Sequence, residues 1–227
     1  MDLIASSDRS LLVRFGTSID NAAHARTLAL FRALNQLLDP RIRNLHPAYA
    51  SLQIDFDPLS CHRAEIEALV RNMASQPLAE NCSPGRTHEI PVCYDPELGE
   101  DLKEVCMHTS LSRAELIAAH TAPPYVVYFL GFSPGFAYLG GLSANLAVPR
   151  LATPRRTVPA GSVAIGGEQT GVYPVASPGG WRLIGRTPVP LFRPDNREHP
   201  MLLEPGDILR FVSIDRVQYE ESLNAKH

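Results

Sequence analysis

Apolar residues along the first third of the chain switch between a period of two and a period near 3.6. Leu11, Val13 and Phe15 alternate with Leu12 and Arg14 and predict a strand. Thr17 or Ser18 is placed to cap the helix that follows, with Asp20 adding favourable charge to its first turn. Leu30/Phe31, Leu34 and Leu37/Leu38 then recur at helical spacing until Asp39-Pro40 stops the run. Leu52, Ile54 and Phe56 alternate with Gln53, Asp55 and Asp57, the pattern of a half-buried strand. Asp57-Pro58 opens a second predicted helix with an apolar face of Ile66, Leu69/Val70 and Met73. The result is a β-α-β-α module, compatible with a small sheet covered by helices on one side.

Beyond this module the punctuation changes. Residues 1–120 hold ten glycines and prolines and residues 121–227 hold twenty-five, so the second part must be short strands and shaped loops. Asn81-Cys82-Ser83-Pro84-Gly85 has the composition of a linker, and the domains are expected at 1–85 and 86–227. His88 to Tyr94 reads as a strand. Two short helices follow with capping-box signatures, Asp101-x-x-Glu104 and Ser112-x-x-Glu115. Strands are expected at Tyr125–Gly131, Ser162–Ile165, Trp181–Ile184 and Ile208–Ile214, a spacing that suits a barrel or compact sandwich. The expected fold class is therefore α+β.

Charge and composition remove several functions. The 227 residues carry 24 acids and 21 bases, a formal charge of −3, whereas a non-specific nucleic-acid binder needs a basic surface. Leu111–Leu116 resembles the turn of a helix-turn-helix but lacks a basic helix behind it. The run Tyr125–Leu130 is far short of the ~20 apolar residues of a membrane helix. No signal peptide is visible at the start, and Cys61, Cys82, Cys93 and Cys106 stand apart without a C-x-x-C pair, so reduced thiols and a cytoplasmic location are expected, with no metal site. The bases are 19 arginines and only Lys103 and Lys226. Both lysines lie outside any glycine-rich motif, which argues against lysine-based covalent catalysis and a Walker-type ATP site. A G+C-rich genome would produce the same arginine excess.

Three stretches are unusual for connectors. Tyr128–Leu142 interleaves aromatics with glycine and proline, so its backbone can approach a ligand while rings wall it in; the same aromatics could instead fill a core under a loop. Leu151–Val163 holds Arg155 and Arg156 between Pro154 and Pro159, a stiff pair suited to clamping an anion, or else a solvated basic turn. Gly166–Pro174 and Ser177–Pro188 are glycine-rich without G-K-S or G-K-T, and Gln169, Thr170 and Ser177 lie among the glycines as in a backbone-lined polar pocket. Trp181, the sole tryptophan, fits a core anchor better than a ligand contact. His120 ends the second capped helix, where the helix terminus favours a cation and where a general base near neutral pH is the sharper alternative.

Four strings in order carry a resemblance: H-T-A-P-P-Y-V-V-Y-F-L-G-F-S-P-G-F-A-Y-L-G-G-L from His120, A-T-P-R-R-T-V-P-A-G-S-V from Ala152, G-G-E-Q-T-G-V-Y-P from Gly166 and S-P-G-G-W-R-L-I-G-R-T-P from Ser177. They resemble the family of 5-oxoprolinase B subunits, also called KipI or allophanate hydrolase subunit 1. The motif region covers roughly residues 88–193, and Ala164, where glycine is expected more often, is a mild departure. The resemblance implies a small N-terminal α/β domain followed by a cyclophilin-like β-barrel. It implies partners, the C and A subunits, in an ATP-dependent enzyme that opens the lactam of 5-oxoproline to glutamate. Phosphorylation of the lactam oxygen would develop charge that arginines can stabilise. On this basis Arg155 and Arg156 are expected as the anion clamp and His120 as the acid/base. Gln169, Thr170 and Gly171 would orient the substrate, with Gly131, Pro134, Gly135 and Tyr138 as its walls. ATP is expected to be shared with a partner or bound by it, since this chain lacks a phosphate-loop lysine. Two other readings follow from the same kinship. One is a binding module that inhibits a sensor histidine kinase; the other is a carboxyltransferase-like component of urea or allophanate metabolism, for which no biotinylation sequence is present.

Overall fold

The structure is a computed structural model that describes residues 1–75 and 85–225. The chain divides into two compact units, Met1–Pro84 and Gly85–His227. Most of the linker read at 81–85, with Cys82, lies outside the described residues.

The first unit is a four-stranded antiparallel sheet with two helices. Its elements are β1 (Asp2–Ala5), β2 (Ser10–Arg14), α1 (Asn21–Leu37), β3 (Ile42–Pro47), β4 (Ser51–Phe56) and α2 (Arg63–Ser75), and the sheet order is β1-β2-β4-β3. The β-α-β-α expectation is corrected to ββαββα. β1 and β3 escape the pattern because they pair at the sheet edges, where residues face solvent and the apolar alternation fades. Leu11, Val13, Leu52, Ile54 and Phe56 point to the helical side and pack with Leu30 and Leu34 of α1 and Ile66 and Val70 of α2. Each such side chain contributes roughly 1.5–3 kcal/mol by leaving water. The cap of α1 is Asp20, not Thr17 or Ser18: its carboxylate accepts from the N–H groups of Ala22 (3.3 Å) and Ala23 (3.0 Å). α2 begins six residues after Asp57, whose carboxylate instead closes a turn by accepting from Leu59 N–H.

The second unit is built on a closed seven-stranded barrel. Its strands are β5 (Thr87–Cys93), β6 (Tyr125–Leu130), β7 (Ala137–Gly140), β9 (Ser162–Gly166), β10 (Gln169–Val172), β12 (Arg182–Arg186) and β13 (Ile208–Ile214), in the order β10-β7-β6-β13-β5-β12-β9. The β9–β10 hairpin closes the ring, and only β5–β13 runs parallel among these pairings. Two further strands, β8 (Arg155–Val158) and β11 (Ser177–Gly179), pair with each other outside the ring. Helices α3 (Leu102–Thr109), α4 (Arg113–Thr121) and α5 (Arg216–Asn224) complete the unit, and α5 has no counterpart among the sequence expectations. Its residues are mostly exposed, with only Tyr219 buried, so it carries little apolar periodicity to read. The α+β expectation with a barrel in the second part is what the structure has.

Alternation along the barrel strands sorts side chains onto two sides of the wall. Val163 and Ile165, Ile184, Ala137 and Leu139, Val172, Val127 and Phe211 share the main core with Leu102, Val105 and Leu116 of α3 and α4. Their neighbours in sequence, Ala164, Leu183, Phe136 and Tyr138, belong to a smaller cluster with Val158, Tyr173 and Trp181. This second cluster lies on the opposite side of the wall. The β8–β11 pair contributes Val158 to it.

Candidate functional site

The smaller cluster opens into a cleft of about 180 Å³ lined by Phe132, Phe136, Tyr138, Arg150, Tyr173 and Trp181, with Pro154 and the Gly179-Gly180 backbone along one wall. The rings meet edge to face. Phe136 lies 5.2 Å from Tyr138, 5.4 Å from Tyr173 and 5.6 Å from Trp181, centroid to centroid, the geometry that places positive ring edges on negative faces. Gly166 and Gly171 make this packing possible. A Cβ on Gly166 would stand 2.5 Å from the Trp181 ring, and one on Gly171 would press on both Trp181 and Phe136. The floor of the cleft is therefore buried aromatic surface. At its mouth stand Phe132, on the loop between β6 and β7, and Arg150, whose guanidinium lies 5.6 Å above the Trp181 ring. Burial raises the pKa of the Tyr173 phenol, so it stays a neutral hydroxyl at the cleft wall.

The expected site residues do not gather at one point. Tyr138 lines the cleft. Gly131, Pro134 and Gly135 shape the loop that carries Phe132, with Gly131 N–H donating to Phe136 C=O at 3.1 Å, but none of the three lines the cleft. Gly171 makes room for rings rather than for a ligand. Gln169 begins β10, paired across the hairpin with Gly166.

The structure places His120 and Thr170, expected as acid/base and substrate-orienting residues, in the core. His120 has no exposed surface and stacks on Phe211 at 4.6 Å. Its Nδ1 lies 2.7 Å from the Tyr94 hydroxyl and its Nε2 2.9 Å from Thr170 Oγ1. Thr170 donates its own proton to Ala164 C=O at 3.0 Å, so it accepts from His120 Nε2–H, and Nδ1 accepts from Tyr94. This directional chain holds one neutral tautomer. Burial lowers the His120 pKa to about 3 and lifts the Tyr94 phenol well above its usual range. With both nitrogens bonded inside the barrel, His120 serves here as a buried hydrogen-bond link between Tyr94 and Thr170.

The two arginines expected as an anion clamp are placed in different surroundings. Arg155 and Arg156 are neighbours on β8, and successive strand residues point to opposite faces. Arg155 donates from Nη2 to Asp101 at 2.7 Å, with Glu100 further off at 3.6 Å, while Arg156 is exposed. The Asp101 carboxylate beside it holds the Arg155 guanidinium more firmly protonated. Asp101 is buried, and its second oxygen accepts from Leu183 N–H at 2.7 Å. That engagement explains why the Asp101-x-x-Glu104 capping box does not form, whereas Ser112 and Glu115 do cap α4 reciprocally. Arg155 thus tethers β8, next to the cleft wall, to the start of α3 and to β12. Arg150 and Tyr173 do not stand out in the sequence. The readable signal is the alternation of Phe136 and Tyr138 with Ala137 and Leu139, which assigns the aromatics to the outer side of the wall.

The closed barrel with its preceding α/β unit is an architecture found in known proteins. The family described as carboxyltransferase domain, subdomain C and D, matches residues 1–203. The B subunit of 5-oxoprolinase from Bacillus subtilis is 40% identical over 222 residues, covering 93% of this chain and 92% of that protein. The crystal structure of TTHA0988 superposes with a TM-score of 0.82 at 40% identity, over 91% of this chain and 40% of that longer one. The urea amidolyase of K. lactis shares the fold, with a TM-score of 0.76 at 19% identity over 96% of this chain and 15% of its own. The chain belongs to the carboxyltransferase subdomain C and D family, among the proteins named as the B subunit of 5-oxoprolinase.

Proposed function

We propose that the chain serves as the B subunit of an ATP-dependent 5-oxoprolinase and opens the lactam of 5-oxoproline to glutamate in assembly with the A and C subunits. The observation that carries this reading is the near full-length likeness to the Bacillus subtilis protein of that name. The cleft is in keeping with it: a small hollow with an aromatic floor and one cation suits a compact ring acid.

Neither the glycine strip nor the cleft supplies the donors of a triphosphate cradle. The glycine strip at 166–171 is a β-hairpin whose amides pair along the strands, and Gly167 N–H is taken by Val148 C=O at 2.8 Å. A triphosphate cradle needs free backbone donors opening a helix, usually with a lysine. In this reading ATP is shared with the partner proteins or bound by them, and this chain takes a part in holding 5-oxoproline.

The test is co-expression with the A and C subunits and measurement of glutamate released from 5-oxoproline with and without ATP. Release should require ATP and should disappear when this chain is left out. Equal activity without this chain would fit a binding module with no chemistry and would overturn the reading. So would an inactive full assembly beside an active Bacillus subtilis control.

A further inference from the structure

The aromatic cleft has features that a filled core does not need. Phe132 is held at φ +69°, a backbone region that bulky side chains rarely adopt, with its ring 62% exposed at the mouth. Strain of this kind persists only where the surroundings impose it, and it collects at ligand sites. Arg150 is the second such feature. The neighbouring guanidiniums are engaged by acids, Arg155 by Asp101 and Arg182 by Glu104. Among the described residues Arg150 has no acidic partner, and its guanidinium faces the Trp181 ring.

The segment that carries Arg150 is tethered on both sides. Val148 and Gly167 exchange backbone hydrogen bonds at 3.3 and 2.8 Å. Arg182 Nε donates to Pro149 C=O at 3.3 Å, and Leu151 N–H donates to Gly180 C=O at 2.7 Å. The guanidinium is thus presented from a fixed backbone, the condition for precise recognition of an anion. A hollow of 180 Å³ is smaller than sites for drug-sized ligands and matches a molecule of amino-acid size.

We propose that this cleft is a binding site for a small, flat, ring-bearing carboxylate, with the ring against Trp181 and Tyr138 and the carboxylate on Arg150. The choice of 5-oxoproline as that ligand rests on the oxoprolinase reading above. Arg150 is then the residue that selects for the acid, and Phe132 closes over the ring.

Trp181 is the sole tryptophan, so the intrinsic fluorescence of the full chain reports the cleft without turnover. The chain is titrated with 5-oxoproline and with 2-pyrrolidinone, the same ring without its carboxylate. A saturable change is expected with 5-oxoproline. Binding should weaken by about tenfold or more for 2-pyrrolidinone and for Arg150→Gln, the loss expected for one charge-assisted contact. Arg150→Lys should recover part of it. Because Arg150 is exposed, its variants should unfold in urea at the wild-type midpoint; the 2-pyrrolidinone comparison holds on the wild-type chain alone. No saturable change up to about ten millimolar, or Arg150→Gln binding as tightly as wild type, would overturn the proposal. If the chain binds 5-oxoproline in this way but the assembly releases no glutamate, the site stands and the enzyme reading falls. If the assembly turns over 5-oxoproline with an unchanged KM in Arg150→Gln, the enzyme reading stands and the site falls.

Discussion

Acidification should destabilise the barrel unit through His120. In the unfolded chain this imidazole takes up a proton near its ordinary pKa of 6.5, whereas in the folded barrel burial holds it neutral down to about 3. The unfolded state therefore binds more protons throughout that interval. The stability associated with His120 is fully present above pH 6.5, falls as the pH drops, and stops falling below about 3. Between these limits the slope approaches ~1.4 kcal/mol per pH unit. At pH 5 the loss is about 2 kcal/mol, a large part of the 5–15 kcal/mol typical of a domain. Other groups titrate in the same range, so the measurement is a difference. His120→Gln keeps an acceptor for Tyr94 and a donor for Thr170 but has no proton to gain. Urea unfolding of both proteins is followed by Trp181 emission, which reports the same unit. The variant should be less stable at pH 7, having lost its stacking on Phe211, and the gap from wild type should narrow by about 2 kcal/mol at pH 5. A gap that is constant to within about 0.5 kcal/mol between the two pH values would show that His120 is not buried and neutral as described.

Arg155 and Arg156 should respond differently to truncation. Arg155→Ala strips the buried Asp101 of its cation and is expected to cost about 2–3 kcal/mol in urea unfolding, while Arg156→Ala should stay within about 0.5 kcal/mol; equal effects would contradict the opposite orientation of the pair. Gly166→Ala drives a methyl group into the Trp181 ring and should destabilise by about 1–3 kcal/mol with a shift in tryptophan emission. An unshifted spectrum and an unchanged midpoint would mean that the ring does not rest on that glycine. Asp101→Asn keeps an acceptor for Leu183 N–H but loses the charge facing Arg155, and should cost less than Arg155→Ala by the same urea assay.

Much of the architecture is legible in the order of residues. β2, β4, α1 and the apolar face of α2 follow from their spacing, because a strand or helix with one buried side writes its period into the chain. The density of glycine and proline after residue 120 announces short strands, and four strings point to the family. β1, β3 and α5 stay hidden because little of their surface is buried, so no period is imposed on them.

The nature of each side chain's surroundings lies beyond such patterns. His120, Thr170 and Arg155 have the chemistry of a catalytic site, and barrel closure turns the first two inward, while Asp101, 54 residues away, engages the third. Local spacing reports which side of an element faces protein, since that depends on neighbours three or four residues off. It is silent on what waits across the gap, because burial, ion pairing and the hollow beside Trp181 are made by segments that meet only after the ring of strands has closed.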